Sequence, residues 1–99
     1  MRIIKIIYND EQKQELVFST HYLQSVRIEN GTYQGVYDKC WIYFDLIKTT
    51  ACLKKIPEYA ARNAYKELID FLSNDYSNIT LTLLRAGGEE VTDIHVKKH

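Results

Sequence analysis

Up to Pro57, apolar residues recur at every second position of the chain, in run after run. Beyond it they recur at every third and fourth position for about four to five turns, and then the period of two returns. In the first run, residues 2–8, Ile4, Ile6 and Tyr8 share one face and Ile3, Lys5 and Ile7 the other. Both faces are largely apolar, which predicts a central or doubly covered strand. A polar turn over residues 9–13 leads to residues 14–20, where Leu16 and Phe18 alternate with Glu15, Val17 and Ser19. These two runs predict a hairpin. Residues 23–29 set Gln24, Val26 and Ile28 against Ser25, Arg27 and Glu29, a strand with one wet side. Asn30-Gly31 follows, and this dipeptide tolerates the two positive φ angles of a type I′ turn, so a hairpin turn is expected there.

Residues 32–39 fit either a short return strand or a loop. From Cys40 the alternation sharpens. Cys40, Ile42, Phe44 and Leu46 face one way, and Trp41, Tyr43 and Asp45 the other. Residues 49–55 predict one more strand. Pro57 suits the first turn of a helix, where its missing N–H costs nothing. Ala61, Ala64, Tyr65, Leu68 and Leu72 then follow helical spacing, widened by Ala60 and Phe71. Leu68 and Leu72 are the expected core contacts, and Ser73-Asn74-Asp75 the expected end. Residues 79–84 and 91–97 predict a final strand pair across a turn at residues 86–89, with Ile94 and Val96 inward. The tail Lys97-Lys98-His99 is expected to fray.

The expected fold is therefore α+β, a single domain over residues 1–99. Its sheet is mainly antiparallel, of five to seven strands, with one amphipathic helix packed on one face, in the order β-β-β-(β)-β-β-α-β-β. A chain of 99 residues suffices for one core without metal or disulfide staples. Net charge is zero, so no global field draws the chain to nucleic acid or to an anionic membrane. Cys40 and Cys52 are too few for a secreted disulfide scaffold. The opening apolar run is broken by Lys5 and is too short for a signal-peptide core or a membrane span. A cytoplasmic protein with free thiols is expected.

Candidate chemistry is sparse. Cys40 and Cys52 stand far apart in sequence, away from His21, His95 and His99, which is not the spacing of a zinc site. Cys40 falls on a core parity, whereas Cys52 has Lys54 and Lys55 nearby, the setting of a reactive thiol. The carboxylate pairs Asp10-Glu11 and Glu89-Glu90 sit in turns, and Asp38 with Asp45 marks no cleft of the kind acid–base catalysis needs. Gly87-Gly88 lacks the Lys-Ser/Thr signature of a phosphate loop and precedes a strand. No cofactor and no metal are expected, and no catalytic residue can be named.

The one notable constellation is aromatic. Tyr33, Tyr37, Lys39, Trp41 and Tyr43 crowd one stretch, and the last four lie on the parity opposite Cys40, Ile42 and Phe44. Such a face has three uses. It packs beneath a loop or the C-terminal hairpin, it contacts a protein or a second copy through Tyr and Trp anchors, or it stacks bases of a single strand. Glu29, Asp38 and Asp45 interleave with Arg27 and Lys39 and would repel phosphate. The leading expectation is a non-catalytic interaction module, homodimeric or an accessory or inhibitor protein. Single-stranded nucleic-acid binding comes second, and a small enzyme with an unrecognised site third.

Overall fold

A computed structural model describes residues 1–9, 14–33, 36–85 and 90–99, the side chains of residues 32, 33 and 36–38 excepted. The described residues form β1 (Ile3–Asn9), β2 (Glu15–Ser19), a 3₁₀ turn (Thr20–Tyr22), β3 (Leu23–Tyr33), β4 (Val36–Leu46), β5 (Thr50–Pro57), α1 (Glu58–Ser73), β6 (Asn78–Arg85) and β7 (Val91–Lys98). This is the α+β order that the change of period predicts. The strands divide into two sheets, β2-β1-β6-β7 and β3-β4-β5. Among the described residues all pairings are antiparallel except β1 with β6, where the chain returns in parallel after crossing the second sheet and the helix. No helix among the described residues is long and apolar enough to cross a membrane.

One apolar cluster unites all three layers. Ile4, Ile6, Ile79, Leu81 and Leu83 come from the four-stranded sheet, Cys40, Ile42, Phe44 and Leu53 from the other, and Ala61, Ala64, Leu68 and Phe71 from α1. Phe18 of β2 meets Phe44 of β4 edge to face at 5.3 Å between ring centroids, joining the two sheets directly. On the helix, Leu68 is buried as its phase predicts, whereas Phe71 takes the core position and Leu72 is only partly buried. The helix turns its Ala60–Ala61–Ala64 flank inward, because small residues let two sheets approach it closely.

Three local expectations need correction. First, Asn30-Gly31 is not a turn. β3 runs on to Tyr33, with Asn30 opposite Cys40 and Gly31 opposite Lys39. Gly31 is there for clearance, since a Cβ would stand 2.7 Å from Trp41 Cδ1 and closer still to Nε1. Second, Pro57 closes β5 and caps the helix rather than opening its first turn. Just before it, Leu53 pairs with Ile42 and Ile56 with Cys40, so Lys54 and Lys55 together face Trp41 in a β-bulge, and Lys55 adopts φ 55°. Third, the tail does not fray. Lys98 ends β7 and forms ion pairs with Glu67 and Asp70 of α1, while the His99 carbonyl accepts from Ser77 N and Asn78 N. The turn expected at residues 86–89 lies outside the described residues.

Arg2 closes the other end of the helix. Its guanidinium donates to the Leu72, Phe71, Asn74 and Tyr76 carbonyls and lies 4.5 Å from the Phe71 ring centroid. The last turn of α1 carries no basic residue of its own. A cation from the chain start therefore satisfies the orphan carbonyls and the negative end of the helix dipole.

Candidate interaction face on the three-stranded sheet

Strand pairing sets the outer face of β3-β4-β5 in rows: Ser25, Asp45 and Thr50; then Arg27, Tyr43 and Cys52; then Glu29 and Trp41 beside the Lys54–Lys55 bulge; then Gly31, Lys39 and Pro57. The two aromatic rings stack, with centroids 6.5 Å apart and planes inclined by 23°. Both remain half-buried. Gly31 leaves the floor on which Trp41 lies. A cation faces each ring, Arg27 at 4.7 Å from Tyr43 and Lys54 at 6.0 Å from Trp41.

Sequence reasoning missed how tightly the charges here are bound to one another. Asp45 accepts from Arg27 at 2.6 Å and 3.0 Å, from Ser25 Oγ at 2.5 Å and from Thr50 Oγ1 at 3.3 Å. Arg27 also reaches Glu29 at 2.9 Å. The Arg27 and Ser25 hydrogen bonds hold the Asp45 carboxyl down to about 2. Of the acids interleaved along the sequence, Glu29 and Asp45 are thus partners of the cation, while the Asp38 side chain lies outside the described residues; the face is polar at one end and aromatic in the middle.

Of the predicted site residues, Trp41 and Tyr43 come together on this face. Lys39 shares their parity, but its ammonium is mostly covered and pairs at 3.5 Å with Glu90, just before β7. The base of the C-terminal hairpin therefore closes over that end, while Trp41 and Tyr43 stay half open. The side chains of Tyr33 and Tyr37 lie outside the described residues.

Beside Lys54 the face leads into a cavity of about 380 Å³ lined by Tyr8, Cys52, Lys54, Lys55, Arg85 and Glu90. Arg85 stacks over Tyr8 at 4.5 Å. Cys52 does have the lysines beside it, but burial pushes its thiol up rather than down, which opposes thiolate chemistry. Burial does the same to Cys40, which points into the core and donates to Asn30 Oδ1 at 3.4 Å. Neither cysteine is bridged. Among the described residues no group of three or more His, Cys, Asp or Glu side chains is placed to hold a metal ion.

Fold and face together define a two-sheet α+β protein with a stacked aromatic pair on a polar sheet surface. Comparison with known protein families, with curated proteins and with solved structures gives no match.

Proposed function

We propose that this protein is a non-catalytic interaction module whose Trp41–Tyr43 face receives a partner protein, in the manner of an accessory or inhibitor protein. The observation that carries this reading is the stacked pair itself. Two half-buried aromatic rings stack on each other, Trp41 against Gly31 and Tyr43 beside Arg27, each faced by a cation. Rigid Tyr and Trp side chains lose little entropy on contact, and each such anchor contributes about 2 kcal/mol or more to association. Arg27 is already committed to Asp45 and Glu29, which favours a protein surface over a phosphate backbone. Unbridged Cys40 and Cys52 fit a reducing, cytoplasmic setting.

A second reading has its own observation. Lys54, Lys55 and Arg85 line one cavity with the single acid Glu90, Lys54 also faces the Trp41 ring, and an excess of cations near a stacking ring suits a single nucleic-acid strand. One pair of variants separates the two. Wild type and a Trp41→Ser/Tyr43→Ser protein are compared by thermal melting, by capture from nuclease-treated lysate, and by titration with a labelled oligonucleotide. The protein reading expects a nuclease-resistant partner that the folded double variant no longer retains. Salt-sensitive oligonucleotide binding lost in the variant replaces it with the second reading. A variant that unfolds while wild type captures nothing refutes both, and leaves the pair as structural cover.

A further inference from the structure

The four edges of the two sheets are not equally protected. Sheet edges expose unpaired N–H and C=O groups, and proteins blunt them with lysines, prolines, bulges or inward charges. β5 carries the Lys54–Lys55 bulge and ends in Pro57. β7 carries Lys97, Lys98 and a register shift opposite Leu84–Arg85. β3 carries Arg27 and Glu29 and two register shifts. β2, sequence ELVFS, carries none of these devices. Its only charge is Glu15 at its first position, drawn to Lys5 at 3.6 Å. Leu16 is 38% exposed and Val17 52% exposed.

The hydrogen-bond phase of β2 shows which groups its free edge offers. Tyr8 N donates to the Gln14 carbonyl, and Thr20 N donates to the Arg2 carbonyl. With the register Ile4↔Phe18 and Ile6↔Leu16, the even residues of β2 point their backbone groups at β1. Glu15, Val17 and Ser19 therefore aim theirs away from the sheet, and among the described residues β2 is the end strand.

We infer that β2 is the contact edge of a symmetric homodimer, in which β2 of a second copy pairs antiparallel across a two-fold axis at Val17 and the four-stranded sheets join into one of eight strands. The strand is self-complementary in this arrangement. Val17 meets Val17, and Glu15 of one copy meets Ser19 of the other, so no like charges stand opposite each other. A parallel arrangement would instead set Glu15 against Glu15. Leu16 of one copy comes across from Phe18 of the other. Phe18 lines an apolar cavity of about 380 Å³ together with Tyr22, Leu46 and Ile47, and Tyr22 and Ile47 are 58% and 55% exposed. The pairing gives the exposed leucine an apolar seat. Zero net charge leaves no long-range repulsion between copies. The contact lies on the other sheet from Trp41 and Tyr43 and is independent of the partner proposed for them.

The test is oligomeric mass by light scattering across a dilution series. Wild type is expected at twice the chain mass of 11.7 kDa, falling to one at high dilution. Val17→Lys sets two lysines directly opposite each other at the two-fold axis and is expected at one chain mass at every concentration. Val17→Pro removes an N–H that faces away from β1, which an edge strand tolerates. It is also expected to be monomeric, with the circular-dichroism spectrum and melt of a folded protein. His95→Lys, an exposed change on β7, is expected to stay dimeric. Mixing Val17→Lys with Val17→Glu is expected to restore a heterodimer. Wild type that remains at one chain mass overturns the proposal. So does a Val17→Lys or Val17→Pro protein that keeps the dimeric mass.

Discussion

Gly31→Ala tests the placement of the aromatic face most directly. Nothing in the backbone of Gly31 demands glycine, because it sits in mid-strand opposite Lys39. The demand comes from Trp41. The new Cβ would lie 2.7 Å from Cδ1 and nearer to Nε1, well inside van der Waals contact. The indole is the softer of the two sides and must swing away. It then loses its stack on Tyr43, about 0.5–1.5 kcal/mol, and its cover over β3. Overpacking of this kind costs about 1–3 kcal/mol, and alanine returns about 0.5–1 kcal/mol through the unfolded chain and strand propensity. A net loss of about 1–2 kcal/mol is expected. The chain has a single tryptophan, so its fluorescence reports on Trp41 alone. Urea melts followed by fluorescence and by circular dichroism are expected to show lower stability together with a red-shifted native emission. A type I′ turn at Asn30-Gly31 would also penalise alanine, through its φ, but would leave the tryptophan spectrum unchanged. An unshifted spectrum, or a variant as stable as wild type, refutes the clearance argument.

Other perturbations follow from the same geometry. Leu68→Ala is expected to cost about 2–5 kcal/mol in urea melts, since the side chain is fully buried. Arg62→Ala, which removes an exposed pair with Glu58, is expected within about 0.5 kcal/mol of wild type. Arg2→Ala leaves the Phe71 and Leu72 carbonyls at the helix end without their donor and is expected to cost about 1–3 kcal/mol, with Arg2→Lys recovering only part because one ammonium cannot span several carbonyls. Asp45 titrates at about 2 in the folded protein, below its unfolded value of about 3.9. Its contribution is therefore present in full above about pH 5 and lost as the pH falls toward about 2. Thermal melts of Asp45→Asn are accordingly expected to fall less steeply over that acid range than those of wild type. Half-buried Cys52, its thiol raised by burial, is expected to react only slowly with a thiol reagent in the native state, whereas Cys40 reacts only on unfolding; rapid native labelling of Cys40 would contradict its place in the core.

Amphipathic period was enough to place the elements apart from the end of β3 and the start of β4. Alternation along residues 40–46 and 79–84 and helical spacing after Pro57 are local consequences of burying one side of a strand or helix, so they survive without knowledge of the fold. The parity that separates Cys40, Ile42 and Phe44 from Trp41, Tyr43 and Asp45 is of the same kind. Short connections also gave the β1–β2 hairpin and the β6–β7 pair; what the chain by itself could not decide is which distant strands meet. The parallel pairing of β1 with β6, the split into two sheets and the Phe18–Phe44 contact join residues far apart in sequence, and strand pairing leaves no local periodic trace. Asn30-Gly31 shows how that matters. A dipeptide with strong turn chemistry lies inside β3 because a tryptophan on the neighbouring strand needs the space. The same holds for Arg2, whose partner carbonyls lie about seventy residues away, and for Asp45, whose charge looks repulsive along the sequence and is neutralised across the sheet by Arg27. Local pattern set the elements and their faces, while tertiary contact decided clearance, charge pairing and edges, because those depend on distances between strands that sequence spacing does not encode.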